Sequence, residues 1–256
     1  MQKIETALGV ILSATKAKET DKRILLLTRE FGKINAVAHG AYKGINKWKT
    51  AFAPFTVVKL QLAERNKYFT IIEAEESKNF KAIYATYPKI MKASCLVGLI
   101  DCFSYSNAKD EQIFALLISG LENLNEAATP VLENKAFFNF EALLLHALGY
   151  SPAAIICNDC ARKLLETEPV YFDTFRNVFI CSECNLIAKA DLKISALTKK
   201  LILNPITTEA PNKNVRMGIS ILTKLLEKAA SETDISTKFL PIKKEIWDYF
   251  KKEEAL

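Results

Sequence analysis

Four cysteines constrain this chain more than any other feature. Cys157 and Cys160, then Cys181 and Cys184, form two Cys-x-x-Cys pairs separated by Ala161–Ile180. Two such pairs at this spacing are the pattern of a tetrahedral zinc site, in which each pair sits on a tight turn and donates two thiolates. Four thiolates leave no open position for water, so the expectation is one structural Zn2+ rather than a catalytic one. Between the pairs, Tyr171-Phe172-Asp173 and Val178-Phe179-Ile180 flank Thr174–Asn177 and read as a small β-hairpin. The zinc module is thus expected at about residues 154–188.

What precedes the module changes period at about residue 80. Before it lie five short apolar runs, Leu8–Leu12, Ile24–Thr28, Ile34–His39, Phe55–Leu62 and Tyr68–Ala74, each bounded by turn signals. In the fourth, Thr56, Val58, Leu60 and Leu62 share one face. Five strands without a helix-length pattern predict a small closed barrel of the OB-fold type at residues 1–80. From Phe80 onward the period is helical. Tyr87-Pro88 opens a helix carrying Ile90, Ala93, Val97 and Ile100, apolar on nearly every side. A second runs over about Asp110–Leu124. A third is capped by Thr129, with Pro130 at its first position, and stops at Gly149. Its His146 is expected on or beside the apolar face, as a satisfied core histidine. Ser195–Leu203, Val215–Ala230 and Ile242–Phe250 repeat the amphipathic pattern beyond the cysteines. The fold class is therefore α+β and multidomain: an N-terminal OB-fold β-barrel, then an α-helical domain over 81–256 with the four-cysteine zinc-binding module inserted.

The charge is uneven. The formal net charge is +6, and residues 1–80 hold 14 Lys and Arg against 8 Asp and Glu, while the remainder holds 21 against 21. The whole surplus lies in the barrel, which suggests a polyanionic partner there. In Gly40–Lys49, the cations Lys43, Lys47 and Lys49 alternate with Tyr42 and Trp48, cations for phosphates and flat rings for bases. With Arg29, Lys33, Arg65 and Lys67 they form the candidate DNA-binding set. The opposing reading folds Trp48 back as a plug in the barrel.

Other functional classes find little support. His39 and His146 are the chain's two histidines, and they sit in unlike settings. Neither a P-loop nor a Gly-x-Ser-x-Gly elbow occurs, so the chain reads as a binding protein and not an enzyme. Glu73, Glu75 and Glu76 read as a solvated strand end. Cys95 and Cys102 fall in an apolar helical run as buried thiols, and reduced thiols fit a cytoplasmic protein. No apolar run is long enough to span a membrane. Two rivals to a DNA-binding role are a zinc-stapled OB-fold RNA-binding protein and a zinc enzyme with a non-thiolate ligand.

Glu5–Leu12, Glu19–Lys22, Leu27–Lys33, Ala38–Ala41, Phe52–Phe55, His146–Pro152 and the two cysteine pairs together, in order and spacing, resemble the bacterial recombination mediator family RecO. The resemblance spans Glu5 to about Cys184, and beyond it only Ser236–Leu240 is similar. One departure is Arg176-Asn177, where the family usually has a glycine pair in the hairpin turn. The resemblance implies a cytoplasmic, nucleoid-associated DNA repair protein. Such a protein binds single- and double-stranded DNA, anneals strands, associates with RecR, and engages the acidic C-terminal tail of the single-strand binding protein (SSB) so that RecA can load. That tail has an apolar tip, and Arg162 and Lys163 are candidate rim cations for its pocket.

Overall fold

The computed structural model of the protein describes residues 3–17, 19–41, 48, 51–65, 68–150, 155–165, 168–206, 208–233 and 235–254. By its contacts the chain forms two compact units, Met1–Glu126 and Ala127–Leu256. The change from strand to helix falls at Asn79-Phe80, whereas the units part only after the second helix.

The first unit is built on five strands, β1 (Lys3–Lys16), β2 (Lys22–Thr28), β3 (Gly32–Ala38), β4 (Val57–Arg65) and β5 (Tyr68–Lys78). They close in the order β1-β2-β3-β5-β4, with β3 and β5 parallel and the other pairs antiparallel. This is the OB-type barrel. Its first strand is far longer than the apolar run Leu8–Leu12 because it serves two neighbours. Lys3–Val10 pairs with β4 and Gly9–Lys16 with β2, and a bulge between Ile11 and Ser13 bends the strand from one to the other. Thr56, Val58, Leu60 and Leu62 are all buried, as alternation predicts, with Ile11, Ile24, Leu26, Ile34 and Phe69 filling the interior around them.

Two helices complete this unit: α1 (Tyr87–Phe103) and α2 (Glu111–Glu126), after a short 3-10 turn at Lys81–Ala85. Thr86 caps α1, accepting from the Lys89 amide, and Asp110 caps α2 through the Ile113 amide at 3.0 Å. The helices are joined to the barrel at the β2–β3 turn. Gly32 there has φ +68° and sits so close to the 107–108 loop that a Cβ on it would lie 1.8 Å from the Ala108 carbonyl oxygen. The Asn107 amide donates to the Lys33 carbonyl at 2.9 Å, and the Lys33 amine donates to both the Asp101 carbonyl and, at 2.9 Å, its carboxylate.

The second unit contains α3 (Pro130–Ala147), the short α4 (Ser182–Ala188), α5 (Ala196–Leu203), α6 (Asn212–Glu232) and α7 (Ser236–Glu254). The cysteine module, which includes α4, lies between α3 and α5. Thr129 caps α3 and Pro130 opens it, while Gly149 at φ +81° follows its C-cap. Helix α7 begins well before Ile242, because it accommodates Pro241 inside rather than starting after it. Phe137, Phe138, Phe140, Leu144 and Leu145 are buried, and Gly218 lets α6 close on α3 at Phe138. His146 is exposed, contrary to the core position expected for it: Leu144 and Leu145 take the buried phase of the helix and carry its side chain outward.

Glu141 lies fully buried in the α3–α6 contact, accepting from the Thr223 hydroxyl at 2.8 Å. Burial pushes its carboxyl well above the usual range, and the Thr223 bond offsets this only in part. The folded state therefore holds a proton that the unfolded chain releases above a pKa of about 4.5. Stability from this group is complete below that value and falls as pH rises towards the folded pKa. Glu141→Gln keeps an acceptor for Thr223 and has no proton to lose. Its melting temperature is expected to fall less than the wild type's between pH 5 and pH 8 in calorimetry, and equal losses in the two proteins would refute this.

Candidate metal centre and nucleic-acid interface

The module is a three-stranded sheet, β7-β6-β8, made of β6 (Val170–Asp173), β7 (Val178–Cys181) and β8 (Leu192–Ile194), with helix α4 directly after β7. The hairpin expected from the sequence is present and β8 is an addition to it, too short and polar to stand out. Asp173 organises the turn, accepting from the Phe175 and Arg176 amides and, at 2.6 Å, from the Arg176 guanidinium. Asn177 takes the left-handed conformation at φ +53°, which asparagine tolerates, so this turn forms without the glycine pair. Arg176 also reaches Asp159 at 3.1 Å, tying the hairpin tip to the first cysteine turn.

Each cysteine pair sits on a tight turn. At the first, the Cys157 amide donates to the Arg162 carbonyl and the Ala161 amide to the Cys157 carbonyl, both at 2.9 Å, with Ala161 left-handed at φ +58°. At the second, Cys181 ends β7 and caps α4, its Sγ accepting from the Cys184 amide at 3.3 Å. The four Sγ atoms all lie within 4.8 Å of one another, and those of Cys160 and Cys181 are 3.9 Å apart. Tetrahedral zinc with Zn–S bonds of about 2.3 Å spaces its sulfurs by about 3.8 Å. Among the described residues no other group of His, Cys, Asp and Glu converges in this way.

The surroundings favour thiolates at Cys157 and Cys181, while the neighbouring Cys181 sulfur, with burial and the other sulfurs, pushes the Cys184 thiol well up. Burial pushes the Cys157 thiol up, but the amides of Cys181, Cys160 and Asp159 outweigh it and bring it down to about 6. The Cys184 amide likewise lowers Cys181. Arg162 lies against the Cys181 sulfur, which raises its pKa, and pairs with Glu168 at 3.4 Å and Glu183 at 3.8 Å. It is thereby engaged inside the module, as a countercharge to the thiolates. Lys163 is exposed and pairs through its backbone with Ile156. The four sulfurs fit a metal ion as a closed set, with Cys157 and Cys181 buried.

The barrel residues expected to meet DNA are distributed differently from one another. Arg29 is exposed, with Glu30 beside it at 3.2 Å. Lys33 is a correction: it is buried and ion-paired with Asp101, because its position opposite Leu27 faces α1 rather than solvent. Trp48 is half-buried: it packs against the barrel core with its ring 5.8 Å from Phe52, as the plug reading has it, and also lines an open cleft with Thr6, Lys59 and Gln61. Arg65 ends β4. Lys43, Lys47, Lys49 and Lys67 lie outside the described residues. The Glu73, Glu75 and Glu76 side chains are exposed along β5, so the barrel has an acidic side as well as basic ones.

One further feature was not read from the sequence. Between α6 and α7, Lys224, Leu240, Lys243, Lys244 and Trp247 line a groove of about 500 Å³. Leu240 is 62% and Trp247 37% exposed, while Lys224 and Lys243 share Glu227 at 3.5 and 2.5 Å. The signal was present as the 240, 243, 244, 247 stripe, hidden by the proline that obscured the start of α7.

The chain thus combines an OB-type barrel with a helical unit that carries a closed four-cysteine cluster. The family model for the N-terminal part of recombination protein O matches residues 1–80, and that for its C-terminal part matches residues 85–205. The chain belongs to the RecO family of DNA repair proteins. It is 28% identical over 197 residues to the DNA repair protein RecO of Caldanaerobacter subterraneus subsp. tengcongensis, covering 76% of this chain and 75% of that protein. The RecO of Pelotomaculum thermopropionicum is 26% identical over 200 residues, covering 78% and 76% respectively. That of Geobacter metallireducens is 28% identical over 159 residues, or 62% and 64%. No helix among the described residues is long and apolar enough to cross a membrane.

Proposed function

We propose that the chain is a non-enzymatic recombination mediator acting at the nucleoid. In this reading it binds single- and double-stranded DNA through the barrel, anneals complementary strands, and works with RecR to help RecA load on DNA coated by SSB. Family membership is the observation that carries this reading, and the basic surplus of residues 1–80 supports it. The metal at Cys157, Cys160, Cys181 and Cys184 is one structural Zn2+, which the sulfur spacing favours. The phosphate-tracking set is Arg29, Lys43, Lys47, Lys49, Arg65 and Lys67. The division of labour runs between the barrel of residues 1–80 and the helical region 81–256. In the latter the α6–α7 groove, an apolar floor with lysines at its rim, suits an acidic tail with an apolar tip better than Arg162 and Lys163 do.

The test uses the full chain against a labelled oligonucleotide and a labelled SSB tail peptide, by fluorescence anisotropy. Replacing Lys43, Lys47 and Lys49 together with glutamate is expected to weaken DNA binding and leave the peptide unaffected. The loss of three phosphate contacts should flatten the log–log salt slope by about 2.7 on duplex and about 2.1 on single strands. Trp247→Ala should do the reverse, weakening the peptide alone. Unchanged DNA affinity and slope in the triple variant would remove the loop from the interface, and a wild-type protein with no affinity for DNA would overturn the reading itself.

A further inference from the structure

Trp48 is half-buried against the barrel core, so a more open ring on the barrel is the better candidate for stacking on bases. Tyr84, Tyr87 and Tyr105 are exposed but lie in the helical segment that follows the strands. Tyr68, the first residue of β5, is 80% exposed on the sheet itself. It has no hydrogen-bond or ring partner among the described residues. An aromatic side chain left this open on a strand gains nothing for the core, whose inward positions on β5 are taken by Phe69 and Ile71.

The register shows what stands beside it. Thr15 pairs with Arg23, Arg23 with Val37, and Val37 with Thr70, so these four side chains share the outer face of β1-β2-β3-β5. Tyr68 is two residues before Thr70 and so emerges on the same face. Asn35 is two before Val37, on that face too, and both Asn35 and Arg23 are exposed. Arg23 has no carboxylate partner among the described residues. The face thus presents a cation, an amide, two threonine hydroxyls and a flat ring within a few residue spacings.

Electrostatics select this face over its neighbour. Along the later part of β5, Glu73 and Glu75 lie outward opposite Gln61 and Lys59 of β4, and an anionic backbone laid there would meet carboxylates. The β1–β2 side offers Arg23 instead. A stacking ring beside a cation, with hydrogen-bonding groups but no deep pocket, suits the unpaired bases of a single strand and not the stacked interior of a duplex.

We infer that the outer face of β2-β3-β5 is a single-strand binding platform, on which Tyr68 stacks against a base while Arg23 holds a neighbouring phosphate. This rests on the DNA-binding reading above and assigns it residues outside the basic set proposed there. Tyr68→Ala in the full chain is expected to weaken single-strand affinity between about fivefold and about 150-fold, as loss of one base–aromatic stack does. Its salt slope should not change, since tyrosine releases no counterion, and Tyr68→Phe should restore the affinity. Arg23→Ala should instead reduce the single-strand slope by about 0.7. An oligonucleotide containing 2-aminopurine should lose fluorescence on binding the wild type and less on binding Tyr68→Ala. If the wild type binds single strands and Tyr68→Ala binds them equally well with the same quenching, the platform is wrong and the mediator reading stands. If the wild type binds no single-stranded DNA, both fall.

Discussion

Cys181→Ser is expected to empty the metal site and unfold the module around it. The substitution isolates the metal from the cap. Serine is itself a strong helix N-cap and can accept from the Cys184 amide as the sulfur does, so α4 keeps its start. What serine cannot do is complete the thiolate set. Binding energy at a structural zinc is folding energy, on the order of 10 kcal/mol or more in isolated fingers. Zinc here would hold together two turns and a sheet whose strands are only three or four residues long. Zinc content, read by atomic absorption, should drop from one per chain towards zero, and the melting temperature should fall on the order of 10 °C. Cys95→Ser, which replaces a buried thiol of α1 that is not one of the four sulfurs, should leave the metal in place. A Cys181→Ser protein with no zinc and unchanged melting would show that the cysteines staple nothing.

The second large effect lies at Gly32. Alanine there must adopt φ +68°, which costs an L-residue about 1–2 kcal/mol, and its Cβ would sit 1.8 Å from the Ala108 carbonyl oxygen. Because that neighbour is backbone, the loop bearing Ser106, Asn107 and Ala108 must retreat, breaking the Asn107–Lys33 bond. Adding overpacking of about 1–3 kcal/mol gives a loss of roughly 2–5 kcal/mol from the first unit. Urea denaturation followed by circular dichroism would measure it. Gly149→Ala is the comparison: φ is also positive, but nothing lies within 4 Å of the added Cβ, so only the conformational cost remains. Equal losses for the two variants would show that the close approach at Ala108 carries no weight.

These sites also show how far the sequence could be read. The cysteine pairs were legible because their chemistry is fixed by spacing within two turns, each local. Thr129-Pro130 was legible for the same reason, since a cap and the first helical residue are neighbours. Lys33 was not, because charge alone says nothing about which face of a strand a residue occupies. A hint lay in Leu25-Leu26-Leu27, apolar on both faces, which requires that end of the sheet to be covered on both sides. Trp48 falls in the DNA-binding set for a related reason: a ring beside lysines serves as platform or plug, and only the position of Phe52 shows how far it turns inward. Tyr68 carries no such mark, because it opens a strand after a basic turn whose cations are the stronger signal.

The Lys33–Asp101 pair has a bearing on how the chain is made. The partners are 68 residues apart, and the carboxylate is synthesised second. At roughly 5–20 residues per second, several seconds pass between the appearance of the lysine and that of its counterion. During that time all five strands have been translated, but α1, which both covers Lys33 and carries its counterion, has not, so the amine stays in solvent and the pair is unmade. The nascent barrel therefore gains its full stability only once α1 has left the ribosome, and the first stretch able to fold as a whole is the 126-residue unit rather than the strands alone.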